Sequence, residues 1–336
     1  MPRPPIAVLD EHPNWLEPLY TAFEARGTPY QKIDISASWY DPQSADVFPF
    51  YINRLSPSAA KRGHQAALSY ALNYILHLES LGARVVNGSR TVLLETSKAQ
   101  QASLLRQLGI PHPRTIVLND VSQAEKYLGE FAFPVVIKPN CGGSGAGIQK
   151  FSAPEQLREA IANHTIQVPV EGLVLLQQFI QPKDDHIVRV ETIAGKVIYA
   201  MKVFTSGTFN LCPSETCDLQ REEPLMPMTA ETLGSCPAVP ADDVKFELYR
   251  HPPQDVIRAV EKIVDAAGLE CGGVEYVVDY RGQWYIYDIN ALSILRASFK
   301  EEYGIDGWGQ LADFFIAEYS KVVEEPTLWK TSASGI

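Results

Sequence analysis

Lys138 closes an apolar run, FPVVIKP, and a loop follows at once, NCGGSGAG, in which Gly142, Gly143, Gly145 and Gly147 stand close together. The chain then resumes as GIQKF, which alternates as a strand does. Glycine lets the backbone adopt positive φ, and the missing Cβ lets amide N–H groups come close to an anion. A lysine at the base of such a loop suggests phosphate. A P-loop does not fit, because it needs Gly-Lys-Ser/Thr at its end and a helix after it, and a dinucleotide fingerprint also opens a helix. The spacing fits a hairpin-like flap between antiparallel strands, its amides lying over a phosphate; an ordinary hairpin loop is the competing reading.

A second group carries hard oxygen donors. GGVEYVVDYRGQWYIYDIN places Glu275, Asp288 and Asn290 on two adjacent strands, and Asp288 and Asn290, two apart, share a face. Such donors suit Mg2+, which takes few carboxylates and completes its shell with water and substrate phosphate. Polar decoration of an edge strand is the alternative, yet WYIYDIN keeps its acids beside large aromatics. Arg54 in YINRL and Arg296 in NALSILRAS are candidates to hold substrate carboxylates, since a guanidinium fork matches a carboxylate bidentately; a structural ion pair competes in each case. His64 and His112 read as structural or exposed, and Cys141 as a small buried residue. Cys212 and Cys217 in NLCPSETC could form half of a metal site, but no second pair has zinc spacing.

These groups need strands at set places. IAVLD and YQKIDI read as strands, WLEPLYTAFEARG as an amphipathic helix between them, AAKRGHQAALSYALNYILHLESLG as a helix from Ala59 to a stop at Gly82, and ARVVN as the next strand. FPFYINRL reads as core with Arg54 at its exit. Alternating β and α elements predict a small parallel-sheet domain over 1–95. A helix from Ser97 to Leu108 ends at GIPHPRT, after which RTIVL, FPVVIKP, GIQKF, LVLLQQFI, HIVRVETIAG and KVIYAMKVF are strands in close succession, with PEQLREAIAN as a helix among them. Residues from Thr205 to Tyr249 show neither period and read as an irregular insertion. PQDVIRAVEKIVDAAG then reads as a helix, GGVEYVVDY and QWYIYDIN as a strand pair, WGQLADFFIAEYSKVV as a closing helix, and 331–336 as a solvated tail.

The 336 residues, 46% hydrophobic, suffice for more than one core. A net charge of −11 speaks against a nucleic-acid or anionic-membrane surface. No apolar stretch reaches membrane-spanning length, the N-terminus lacks a signal-peptide core, and five scattered cysteines fit free thiols; the expectation is a soluble cytoplasmic protein.

Taken in order, Lys98, KPNCGGSGAG, LLQQFI and the DIN ending resemble the ATP-grasp enzymes. YINRLSPS, VVNGS and SKAQQASLLRQLGIPHPRT resemble the RimK-like branch, the carboxylate-amine ligases, over residues 45 to 320. The resemblance implies an α/β and α+β chain of ATP-grasp fold: the parallel βα domain over 1–95, then subdomains 96–180 and 181–330 enclosing ATP. It implies that Lys98 and Lys138 contact nucleotide phosphates, with Lys138 also reaching toward the adenine side. Gly142, Gly143, Ser144 and Gly145 would form the flap; Gln178 would stand at the usual Glu of the adenine linker, with the Phe179 and Ile180 backbone on the base. Asp185 or His186 would meet the ribose, Lys202 and Asn210 the triphosphate, and Arg189 would offset charge in transfer. Glu275, Asp288 and Asn290 would hold Mg2+, although the family's usual Asp and Glu are exchanged here and Asp279 could replace Glu275. GTFNLCPSETC and NALSILRAS depart from the branch on the acceptor side. The implied reaction is ADP-forming: a carboxylate is activated as an acyl phosphate and joined to an amine. The implied substrates are a carboxylate and an amine, a peptide among them, in a chain that can be a homo-oligomer. A peptide-modifying or macrocyclising ligase and a non-catalytic ATP-binding module are the alternatives.

Overall fold

The computed structural model describes residues 3–12, 14–143, 145–205, 246–293 and 295–324. Ser144, Asn210, Cys212, Cys217 and the 331–336 tail lie outside the described residues.

Strands β1 (Ile6–Asp10), β2 (Tyr30–Asp34), β3 (Phe50–Asn53) and β4 (Arg84–Val86) form a parallel sheet in the order β2-β1-β3-β4. The FPFYINRL stretch therefore supplies a central strand. β1 and β3 are buried on both faces, as parallel strands between helices are: Ile6, Val8, Phe50 and Ile52 point into one core, and Ala7, Leu9 and Tyr51 into another. Helix α1 (Glu17–Ala25) follows β1. The long helix read from Ala59 is two elements, a 3-10 turn over Pro57–Arg62 and α2 (Gln65–Ser80), because Gly63 takes the left-handed conformation at φ +81° and ends the first. After β4 come α3 (Ser89–Glu95) and α4 (Lys98–Gln107).

The second sheet is antiparallel: β5 (Thr115–Leu118), β6 (Val135–Pro139), β7 (Gln149–Phe151) and β8 (Val174–Gln178), in the order β5-β8-β6-β7, with α5 (Pro154–Ala162) over its own core. The third holds β9 (His186–Ile193), β10 (Lys196–Phe204), β11 (Phe246–Leu248), β12 (Cys271–Val278) and β13 (Trp284–Asn290), in the order β11-β10-β9-β12-β13, all antiparallel. The region read as irregular to Tyr249 thus ends in a strand, with Glu247 opposite Lys202. Helices α6 (Gln254–Ala267), α7 (Ser298–Tyr303) and α8 (Gly307–Glu324) are the remaining helices among the described residues. No described helix is long and apolar enough to cross a membrane.

The cores cross the expected boundaries. α4 begins the segment assigned to the central subdomain, yet Leu105 packs with Val188, Val274 and Ile289 of the third sheet, and the Gln101 amide bonds both backbone groups of Ile289 at 2.9 and 3.1 Å. α8 packs on the first sheet through Tyr319 against Phe50, and on α1 through Phe315 against Phe23. Asn87 joins the first sheet to the third. Held at φ +53° and fully buried, it donates to the Cys271 and Ala291 carbonyls at 2.7 Å each and accepts from the Glu270 N–H at 2.9 Å. Alanine here leaves three backbone groups without partners. A stability loss of about 2–4 kcal/mol in urea unfolding is the expected result.

Candidate active site

The second and third sheets wall a cavity of about 360 Å³, closed on one side by the glycine hairpin. Strand alternation decides which side chains reach it. On β6, Val135 and Ile137 enter the core while Val136 and Lys138 line the cavity; on β9, Val188 and Val190 point inward and Ile187 and Arg189 to the cavity; on β12, Val274 and Tyr276 contrast with Glu275 and Val277. Glu275 lies directly opposite Asp288, and the register shifts just beyond them. That bulge lets the consecutive residues Tyr287 and Asp288 both line the cavity.

The charges interlock. Lys98 Nζ donates to Asp288 at 2.6 Å. Arg189 is buried and donates to Glu191 at 2.5 Å, to Glu275 at 3.0 Å and to the Leu292 carbonyl at 2.9 Å; these partners outweigh desolvation and hold it charged. Tyr287 Oη donates to the other Glu275 oxygen at 2.9 Å. Burial first, then the nearby Asp288, raise the Glu275 carboxyl above its ordinary range. Lys138 is pushed down to about 7, chiefly by burial and then by Lys98, with Asp288 and Glu275 opposing. Glu95, which accepts from the Ala291 N–H at 3.1 Å, is raised to about 8 by burial.

The loop between β6 and β7 is a hairpin, as the sequence implied: Gly142, Gly145 and Gly147 stand at φ +156°, +70° and +69°. Gly143 is needed for a different reason. A Cβ there would sit 3.2 Å from the Ser58 Cβ and 3.4 Å from the Ser58 nitrogen, so the loop lies directly against the turn after β3.

Most of the expected residues meet. Lys98, Lys138, Gly142, Gly143, Gly145, Gln178, Phe179, Ile180, Asp185, Arg189, Glu275, Asp288 and Asn290 all line the cavity. Between the two ribose candidates, Asp185 faces the cavity, whereas His186 packs on Phe204 and bonds the Asp184 carbonyl. The Phe179 N–H already donates to the Pro134 carbonyl at 3.2 Å, so it is committed within the fold.

Three of the expected cationic residues do not line the cavity. Arg54 is buried, donating to the Ser293 carbonyl at 2.6 Å and lying 3.8 Å from Cys271 Sγ, because it follows a buried strand. Lys202 pairs with Glu247 at 3.4 Å across the β10–β11 ladder. The Arg296 guanidinium stacks over the Phe246 ring at 4.2 Å. Asp279 caps the β12–β13 turn, accepting from the Arg281 and Gln283 N–H groups at 2.9 Å each, and does not line the cavity, whereas Glu275 does.

Sequence reading missed Lys150, Glu95, Trp15, Ser56, Ser58 and Tyr287, all on the cavity wall. Lys150 had a signal. In GIQKF, Ile148 and Lys150 share a face, and Lys150 Nζ sits 4.0 Å from the Phe179 ring centroid at the cavity edge. Tyr287 reaches the cavity only through the bulge, against the alternation of its strand, and the rest come from segments whose approach to the cavity no local pattern shows.

Among the described residues no three His, Cys, Asp or Glu side chains gather as a metal cage. Two opposed carboxylates and an amide oxygen remain, a donor set that fits Mg2+, which keeps most of its shell for water and phosphate. The proton affinity imposed on Glu275 by Asp288 is the repulsion a divalent cation between them would relieve.

Residues 95–213 match the RimK-like ATP-grasp domain. The carbamoyl phosphate synthase large chain of Thermotoga sp. (strain RQ2) is 25% identical over 267 residues, 76% of this chain and 22% of its own length, so the chain spans only that part of such a relative. In three dimensions the chain is similar to the RimK domain ATP-grasp protein of Sphaerobacter thermophilus DSM 20745, at 21% identity and a TM-score of 0.65 over 92% of this chain and 98% of that one. It is also similar to the ATP-grasp ligase PsnB complexed with minimal precursor, Mg and ADP, at 19% identity and a TM-score of 0.60 over 94% of this chain and 98% of that one. The parallel sheet that leads into two antiparallel sheets around one cavity is thus an ATP-grasp fold, and the stretch of it that includes the glycine hairpin is the one that matches the RimK-like ATP-grasp domain.

Proposed function

We propose that the protein is an ATP-dependent carboxylate-amine ligase that forms ADP. The observation that carries the reading is the meeting, in one cavity, of the glycine hairpin, two lysines and the opposed Glu275 and Asp288. A substrate carboxylate oxygen attacks the γ-phosphorus; the bond from that phosphorus to the β–γ bridging oxygen breaks, and ADP leaves. The amine nitrogen then attacks the acyl carbon, the carbon–oxygen bond to phosphate breaks, and the nitrogen loses a proton as the amide forms. No protein nucleophile is needed. The chain positions the reactants and offsets charge.

In this reading the flap amides of Gly142, Gly143 and Gly145 lie over the phosphates, and Lys98 and Lys138 neutralise them. Gln178, Phe179, Ile180 and Lys150 border the adenine, and Asp185 faces the ribose. Glu275, Asp288 and Asn290 would hold Mg2+, which would supply positive charge to offset that of the phosphate oxygens. Arg189, fixed by Glu191, holds Glu275 in place. The closed hairpin keeps water from the acyl phosphate.

The test is ADP and phosphate release from Mg-ATP with pooled amino acids, dipeptides and small carboxylic acids. Release that requires both a carboxylate and an amine, and that falls about 100-fold or more in Asp288→Asn, is the expected result. Tight Mg-ATP binding with no release from any pool would overturn the reading. A peptide acceptor is the second form of the same chemistry, supported by the likeness to PsnB, which was solved with its minimal precursor; release with peptides alone would select it.

A further inference from the structure

Ser56 and Ser58 line the cavity, are 9% and 3% exposed, and have their hydroxyl oxygens 2.8 Å apart. Their hydrogens can be counted. The pair owns two O–H donors, and one is used between the two oxygens, whichever residue donates. The remaining contacts use lone pairs only: Ser58 Oγ accepts from Arg62 Nη1 at 3.1 Å, and Ser56 Oγ accepts from the Ser58 N–H at 3.2 Å. One O–H is left, and no acceptor among the described residues takes it. A buried donor without an acceptor calls for an explanation, and here the cavity supplies one.

The surroundings favour an anion. Arg62 is held on both oxygens of Glu11, one at 2.8 Å, and lies over the Trp15 ring at 4.8 Å, so its guanidinium is fixed behind Ser58. A cation donating to a hydroxyl oxygen strengthens that hydroxyl as a donor. Gly143, whose added Cβ would lie 3.2 Å from the Ser58 Cβ, brings the phosphate-covering hairpin against the same serine.

We propose that the Ser56–Ser58 hydroxyl pair is the subsite for the carboxylate of the substrate to be phosphorylated, giving it one hydrogen bond beside the flap. The inference rests on the ligase reading and adds where its carboxylate lies. A γ-phosphate oxygen shares this chemistry, so the test must separate the two.

The count makes an unusual prediction. Ser56→Ala leaves the Ser58 O–H for the ligand, and Ser58→Ala leaves that of Ser56, so each single variant retains the donor. Only the double variant loses it. The probe is trifluoroacetate, followed by the broadening of its fluorine resonance in the presence of the full chain and a Mg-bound non-hydrolysable ATP analogue. Each single variant is expected to keep the wild-type broadening within about threefold, and S56A/S58A to lose about tenfold or more, as deletion of a hydrogen bond to a charged group does. S56T/S58A, which restores one hydroxyl, is expected to recover it, and calorimetry is expected to leave the nucleotide Kd within about twofold throughout. Wild-type protein that does not broaden the probe, or a double variant that broadens it equally, would overturn the proposal. So would single variants as damaging as the double, which would make the pair merely structural. A tenfold weaker nucleotide in the double variant, on the order of 1.4 kcal/mol, would place the pair on the γ-phosphate instead. If trifluoroacetate binds through the serines while no carboxylate pool releases ADP, the ligase reading alone fails.

Discussion

Alanine at Lys138 is expected to slow ADP release about 100- to 1,000-fold, the loss seen when a preorganised charge facing the reacting group is removed. Its pH behaviour is the sharper test. In the nucleotide-free protein, burial and the neighbouring Lys98 bring the Lys138 ammonium down to about 7, so at pH 8 it is largely neutral. Nucleotide phosphates favour the charged form. Binding above pH 7 must therefore take up a proton, and the Kd for Mg-ATP should rise about tenfold per pH unit until the bound-state value is reached. Calorimetry in two buffers of different ionisation heat reads that proton directly. The linkage has a definite sign: between about 7 and the ordinary lysine value of 10.5 the unfolded chain binds more protons, so this group's contribution to the stability of the empty protein rises with pH across that window. Nucleotide binding without proton uptake at pH 8 would show that Lys138 does not meet the phosphates.

Replacing Arg189 by methionine is expected to cost about 3–5 kcal/mol of stability, because it strands Glu191 and Glu275 without their shared cation. Glu191 has no exposed surface, and burial already raises its carboxyl to about 7. A carboxyl raised in the fold contributes stability that is complete below its unfolded value of 4.5 and is lost as pH rises through about 7. Without the arginine both acids move higher still. The gap between variant and wild type in urea unfolding should therefore be small near pH 5 and widest near pH 8. A loss under about 1 kcal/mol at pH 8 would contradict the buried network.

The two site-bearing hairpins were legible because each rests on local periodicity. GIQKF alternates, which separated this loop from those that open helices; WYIYDIN alternates, which put Asp288 and Asn290 on one face. That Arg54 lies off the cavity wall was not legible because its partner, the Ser293 carbonyl, is 239 residues away in sequence. The pairing of Lys202 with Glu247 was not legible because the strand carrying Glu247 lay hidden at the end of an apparently irregular stretch. Ser56 and Ser58 look like turn residues in SPS, and so they are; only the fold, which lays Gly143 against Ser58, brings the pair to the cavity wall. Lys98 was placed by family likeness, not by pattern, since nothing in SKAQQ announces an ion pair with Asp288.

The packing of α8 has a consequence for the order in which the molecule is made. Synthesis delivers β1 to β4 early, but the face of that sheet bearing Ile6, Val8, Phe50 and Ile52 shares its core with Leu311 and Phe315 of the last helix. Until residues 307–324 leave the ribosome, that apolar face is covered only in part, by Leu19, Tyr20 and Phe23 of α1. The nascent chain must be shielded meanwhile, and truncation before α8 should yield aggregates rather than a smaller folded protein.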